Sequence, residues 1–270
     1  MKPDEQAFEE HIADSLVERG GYREVKSGNA SGDFDATRGL DLTELFAFIE
    51  ETQPEAWDRL AKLHGGEAKA REQFANRLVK ELDARGTVDV LRHGVVDLGV
   101  TIRLAFFKPA HGLTPQLVGR YEANRLTVTR QLPYETGTNK TLDLALFVNG
   151  LPVATAELKN ALTGQDVEKA KSQYRKDRDP KNVTLGRRVV VHFAVDTEQA
   201  AMTTRLAGGS TRFLPFNRGM ASARVIRPIR RGIGRRICGS GFGSGMPGWT
   251  CWDGSFTSRS RARERSPAGP

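Results

Sequence analysis

The sequence predicts an α/β domain over residues 1–218, followed by a tail of different character over 219–270. Three observations carry this reading. Apolar residues recur at helical spacing through the first 86 positions, β-type runs dominate from Val88 to the strand-like 187–196, and after Gly219 the chain becomes Arg, Gly and Ser without sustained period.

In chain order, Phe8, Ile12 and Leu16 form one stripe, so residues 4–19 are expected to be a helix that Gly20-Gly21 ends. Residues 41–64 and 68–84 read as two more amphipathic helices, the latter with Phe74, Leu78, Val79 and Leu82 on one side and Gly86 at its close. The stretches 88–93, 100–107 and 125–134 read as strands or strand pieces. "LDLALFVNGLPVATAELKN", residues 142–160, reads as two strands around an Asn149-Gly150 turn. A charged helix follows from about Gln165 to Arg178, stopped by Asp179-Pro180, and "RRVVVHFAVD" (187–196) reads as a buried strand.

Composition narrows the function classes. The net charge of +8 resides wholly in the tail: residues 220–270 hold ten of the 41 basic residues, all Arg, and two of the 33 acids, leaving 31 of each in residues 1–219. Net charge therefore gives the body no support as a polyanion-binding surface. No apolar run reaches membrane-span length, and the acidic, helical start is unlike a secretory signal, so a cytoplasmic protein without membrane contact is expected. Cys238 and Cys251 make neither a disulfide framework nor a metal site. A dinucleotide-type glycine pattern at Gly243, Gly245 and Gly248 follows no convincing strand and precedes no helix, and no phosphate-binding GxxxxGK[ST] loop exists.

The hairpin carries the one constellation with chemistry. Asp143 stands on its first strand, Glu157 and Lys159 on its second. A two-residue loop alone pairs position 143 with 156 and turns Glu157 away. A three-residue loop or a single bulge pairs 143 with 157 and brings the carboxylates together. Neighbouring acids repel unless a cation bridges them. Carboxylates with backbone oxygens suit Mg²⁺, which promotes hydrolysis at phosphorus, and a lysine two positions after the glutamate can orient water or offset transition-state charge. The other reading of the same spacing is a solvated strand face.

The wording of the chain adds to this. "RHGVVDLGVTIRLAFFKPAHGLTP", "NRLTVTRQLPYETGTNKTLDLALFVNGLPVATAELKN", "SQYRKDRDP" and "VHFAVDTEQAAMTTRLAGGSTRFLPFNRG" resemble the N-terminal region of the R (restriction, motor) subunit of type I restriction-modification enzymes, over nearly all of residues 5–219. The resemblance implies a restriction-endonuclease-like PD-(D/E)xK fold, a mixed sheet flanked by helices, that cuts double-stranded DNA with Mg²⁺. By that resemblance Asp143 and Glu157 are metal-binding acids and Lys159 the catalytic lysine. Glu9 on the leading helix is a candidate third acid, or else an ordinary exposed helix residue. The family's Gln-x-x-x-Tyr element is met only in part: Gln173 fits, but Asp177 stands four positions on and the tyrosine is Tyr174. Arg175, Lys176 and Arg178 are candidate DNA-phosphate contacts, or else the solvated side of a charged helix. His93 and His192 read as structural. The parent subunit implied works with methyltransferase (M) and specificity (S) subunits and couples cleavage of unmodified DNA to ATP-driven translocation.

In the family, "FLPFNRG" leads into that ATP-driven motor, and here the resemblance stops at Arg218-Gly219. Back-translated with free third bases and read two nucleotides later, the tail permits the strings GNPPNPxGYRTAYLW, AWLDLL and GRFIHV, which the family places after that block. Residues from about 220 on are thus expected to be a disordered, out-of-frame product. Without the motor, no ATPase and little or no restriction is expected of this chain in isolation. The alternatives are a non-catalytic remnant that docks on partner subunits, or a non-specific nucleic-acid binder acting through the arginine tail.

Overall fold

The computed structural model describes residues 3–25, 34–110, 112–160 and 166–216, so the readings placed on the tail lie outside the described residues. Helix α1 (Pro3–Gly20) leads into the short strand β1 (Arg23–Glu24). A two-strand ladder of β2 (Phe34–Asp35) and β3 (Leu40–Asp41) opens a helical bundle of α2 (Leu42–Thr52), α3 (Pro54–His64), α4 (Glu67–Arg85) and α5 (Thr87–His93). The hairpin β4 (Val95–Asp97) and β5 (Val100–Ile102) and helix α6 (Pro115–Glu122) connect the bundle to β6 (Leu126–Pro133). Then come β7 (Thr141–Val148), β8 (Leu151–Leu158), α7 (Val167–Lys176), a π-helical turn at Thr184–Arg188, β9 (Val191–Val195), β10 (Ala200–Thr203) and β11 (Leu214–Pro215).

Seven strands make one sheet in the order β1-β6-β7-β8-β9-β10-β11. It is mixed: β1–β6 and β8–β9 are parallel, and the other neighbours are antiparallel. The expected mixed α/β sheet flanked by helices is present.

Several buried apolar clusters hold it. Phe8, Ile12, Ala13 and Leu16 of α1 pack on Val128, Leu144, Leu158 and Val195. Ala145 and Phe147 of β7 pack instead with Tyr174 of α7, and because successive strand residues point to opposite faces, α1 and α7 cover opposite sides. The helical bundle buries Phe48, Leu60, Phe74 and Leu78 and reaches the sheet through Val148, Leu151 and Val153 at the hairpin's turn end. Arg188, 2% exposed, joins bundle to sheet: its guanidinium donates to Asp83 Oδ1 at 2.7 Å and to the Arg38 carbonyl at 2.9 Å. A buried cation of this kind is tolerable only when so paired.

Three expectations need correction. The single helix 41–64 is two, because Pro54 has no N–H to continue the ladder and instead opens α3 near its first position. Residues 88–93 are not a strand but lie in α5: Thr87, Val90 and Leu91 are its buried residues, a helical spacing that six residues were too few to reveal. The strand expected over 187–196 starts at Val191, its first positions being spent in the π-helical turn. Among the described residues no helix is long and apolar enough to cross a membrane.

Candidate active site

The hairpin's turn is a two-residue one, with Asn149 and Gly150 at φ 51° and 80°, the left-handed pair that matches strand twist. The Asn149 side chain accepts from the Arg125 amide at 2.6 Å and donates to the Leu104 carbonyl at 2.8 Å. Gly150 approaches the start of α2 so closely that a Cβ there would stand 2.2 Å from the Asp41 carbonyl oxygen.

From this turn the register runs Val148↔Leu151 and Phe147↔Pro152, then shifts to Leu146↔Ala154, Ala145↔Thr155 and Leu144↔Ala156. Val153 is the extra residue of a bulge. Its place has a cause: Pro152 cannot donate to the ladder, and in a central strand proline is accommodated at such irregularities. The bulge converts the even register of a two-residue loop into the odd one, and continuing it sets Asp143 opposite Glu157, as the functional reading requires.

Beyond Leu144↔Ala156 the backbone ladder stops, and side chains take over. Asp143 Oδ2 accepts the Leu158 amide at 2.7 Å. Lys159 Nζ lies 3.9 Å from the same oxygen and donates to the Leu158 carbonyl at 3.0 Å. Glu157 is fully buried. Its Oε1 accepts from Arg178 Nε at 2.7 Å and forms an ion pair with Arg178 Nη2 at 2.6 Å, while its buried Oε2 has no hydrogen-bond partner among the described residues. Burial first, and the Asp143 charge second, push the Glu157 carboxyl up to about 8, against the downward pull of Arg178 and Lys159.

Glu9 is buried at the inner side of α1, not an exposed helix residue. It is not gathered with Asp143 and Glu157, since among the described residues no three acidic, His or Cys side chains form a group able to hold a metal. A mediator intervenes instead. Gln131 Nε2 donates to Glu9 Oε2 at 2.6 Å and lies 3.4 Å from Asp143 Oδ1, and Gln131 Oε1 accepts from Thr141 at 2.7 Å. Gln131 does this from a left-handed backbone, φ 49°, in the middle of β6. Burial raises the Glu9 carboxyl above its ordinary range, the Gln131 hydrogen bond opposing it and the Asp143 charge adding to it.

Helix α7 begins at Asp166, whose side chain accepts the Glu168 and Lys169 amides. It turns Val167, Ala170 and Tyr174 inward. Tyr174, not Gln173, reaches the sheet: its hydroxyl shares a 2.9 Å hydrogen bond with Thr155, which also meets His192 Nδ1 at 2.8 Å. Gln173 is half-buried on the neighbouring side of the helix. His192 is thus a packed, hydrogen-bonded core residue, and His93 sits exposed at the end of α5. The three candidate phosphate contacts part company. Lys176 is exposed, and Arg175 is half-buried against Phe213 with Nε on the Thr211 carbonyl. Arg178 is turned inward, 6% exposed, with its N–H groups spent on Glu157, Tyr134 and the Thr141 carbonyl, so it is not the DNA-phosphate contact expected of it. Arg178 lies in the bend just past the Asp177 cap of α7, so the charged helix expected to run to Arg178 stops at Lys176 and its helical spacing does not set this side chain's direction.

A family model described as the type I restriction enzyme R protein N terminus matches residues 2–211. The chain belongs to that family. No curated protein matches it. Membership of this restriction-enzyme family places the Asp143–Glu157–Lys159 fork in the N-terminal region of an R subunit.

The donor set fits a hard divalent cation. Two carboxylates stand close enough for one to raise the other, one of their oxygens is buried without a partner among the described residues, and a backbone carbonyl lies beside Lys159. Mg²⁺ is commonly held by one or two carboxylates, with water completing its shell.

Proposed function

We propose that this domain hydrolyses DNA phosphodiester bonds with Mg²⁺, using Asp143 and Glu157 to hold the cation and Lys159 as the catalytic base-side group. The observation that carries the reading is Glu157 Oε2, a wholly buried carboxylate oxygen without a partner among the described residues, beside a second carboxylate. Leaving such an acceptor bare costs about 1–3 kcal/mol, which a bound cation would recover. Bound Mg²⁺ would supply Lewis acidity toward water and the phosphoryl oxygens. Asp143 is held for this task by the Leu158 amide. Lys159 is held by the Leu158 carbonyl, from where its ammonium can orient a water or offset charge growing on phosphate oxygens. Gln131 keeps Glu9 beside, but outside, the acid pair. In the whole R subunit this chemistry would serve double-stranded DNA cleavage coupled to ATP-driven translocation, in company with the methyltransferase and specificity subunits.

The test is the full chain with supercoiled plasmid and Mg²⁺, alongside calorimetric titration of the ion. Nicking is expected in wild type and lost in Lys159→Ala, which should still bind Mg²⁺, whereas Glu157→Gln should bind the ion at least tenfold more weakly. Equal Mg²⁺ affinity in wild type and Glu157→Gln would refute the site. A folded wild-type chain that binds the ion without ever cutting would favour the non-catalytic remnant.

A further inference from the structure

We propose that Arg178 makes Glu157 a one-oxygen ligand and thereby sets the site's preference for Mg²⁺ over Ca²⁺; this rests on the metal-binding reading above. Two of its nitrogens converge on the same carboxylate oxygen: Nε donates to Oε1 at 2.7 Å, and Nη2 makes an ion-pair contact with it at 2.6 Å. The common fork of arginine onto carboxylate spreads over both oxygens. Here it does not, and Oε2 is buried and without a hydrogen-bond partner among the described residues.

The guanidinium is not free to swing away. Nη1 donates to the Tyr134 hydroxyl at 3.3 Å, Nη2 also donates to the Thr141 carbonyl at 2.7 Å, and its carbon lies 5.3 Å from the centroid of the Tyr134 ring. Tyr134 is itself 1% exposed. Arg178 is therefore a positioning residue, fixed by β7 and by Tyr134 in the segment before it, that saturates one oxygen and presents the other.

Coordination chemistry gives this a consequence. Mg²⁺ requires near-octahedral geometry and takes carboxylates through single oxygens. Ca²⁺ accepts six to eight oxygens and readily takes a carboxylate through both. A Glu157 whose Oε1 is already occupied can serve the first ion fully and the second only in part. A lysine at 178 would keep the positive charge but bring one donor in place of two, leaving Oε1 able to turn toward a larger ion.

The experiment titrates the full chain with Mg²⁺ and with Ca²⁺ separately and compares the ratio of dissociation constants in wild type and Arg178→Lys, with circular dichroism confirming that the variant is folded. The expected result is that the wild-type preference for Mg²⁺ narrows by about tenfold in Arg178→Lys, a size typical of groups that orient metal ligands. An unchanged ratio, with both ions still bound, overturns the inference and leaves the nuclease reading standing. Wild type binding neither ion overturns both. Should Arg178→Lys not fold, infrared difference spectra of the wild-type chain on Mg²⁺ addition decide. The carboxylate bands that vanish in Glu157→Gln should show the wide splitting of single-oxygen coordination, and the narrow splitting of a two-oxygen ligand would overturn the proposal.

Discussion

At the scale of residues, the site is a set of buried polar atoms whose partners were chosen unevenly. Gln131 adopts φ 49° in a strand, a conformation that costs a non-glycine residue roughly 1–2 kcal/mol, and the return is one amide reaching toward two acids. Gln131→Gly is expected to relieve that backbone strain and leave the melting temperature within a few degrees of wild type while weakening Mg²⁺ binding severalfold, measured by calorimetry. A variant that melts early and binds normally would show the side chain to be only structural. His192 makes a separate prediction. Burial holds its imidazole down at about 4, against an ordinary value near 6.5. The folded ring stays neutral where the unfolded chain takes up a proton, so stability is complete above about pH 6.5 and is lost as pH falls toward about 4, by an amount on the order of 3 kcal/mol. His192→Gln keeps a partner for Thr155 and should flatten that acid limb in urea unfolding run at pH 4.5 and 7. A loss of equal size in the variant would assign the acid sensitivity elsewhere. The sequence points to Asp143, Glu157 and Lys159 through the family resemblance, since their spacing on two strands and a turn also allows a solvated strand face. It did not reveal Gln131 or Arg178, whose roles depend on where β6 and the end of α7 come to lie.

At the scale of elements, everything at the site hangs on one inserted residue. The odd register could be anticipated as a requirement, but its device, a bulge at Val153 after Pro152, is the answer that a strand gives to a proline without an N–H. Replacing Pro152 by valine, which can donate to the ladder, would let the bulge close with Val153 paired to Leu146 and so set Asp143 opposite Ala156. The prediction is a chain that keeps its far-ultraviolet dichroism but loses Mg²⁺ binding, because a shift of one residue moves Glu157 to the opposite face. Retained binding would mean that the register is set elsewhere. The turn offers a second lever. Gly150 has φ 80°, and its missing Cβ makes room for the Asp41 carbonyl. Gly150→Ala should therefore cost roughly 2 kcal/mol or more by denaturant titration, through both the left-handed backbone and the forced separation of turn and α2. The short helix α5 is the element whose type the sequence leaves open. Six residues of α5 do not distinguish a period of 3.6 from one of 2, and the glycines on either side of it serve strands and helices alike. Long periodic segments such as α1 and α4 were read correctly, because each repeats its stripe several times.

At the scale of the whole chain, charge separates two ways of meeting DNA. Residues 1–219 hold 31 basic and 31 acidic residues, and the remaining ten arginines against two acids supply the net +8. Within the body, arginines are largely occupied: Arg188 by Asp83, Arg178 by Glu157, and Arg23 and Arg125 by the buried Glu44. Such pairs hold elements together and spend part of the body's positive charge internally. Binding to duplex DNA by the full chain should then depend steeply on salt, since each phosphate neutralised by an arginine contributes about −0.9 to the slope of log K against log salt. A chain ending at Gly219 should show a slope near zero and weak affinity in the absence of divalent ion, and regain measurable affinity when Ca²⁺ occupies the acid pair, because a cation between carboxylates and phosphate replaces what arginine does in the tail. Fluorescence anisotropy with a labelled duplex over a range of salt, with and without Ca²⁺, measures both slopes. If the shortened chain keeps the steep slope without divalent ion, its body carries a basic DNA-binding face after all, and the neutral balance of residues 1–219 conceals an uneven distribution of charge over its surface.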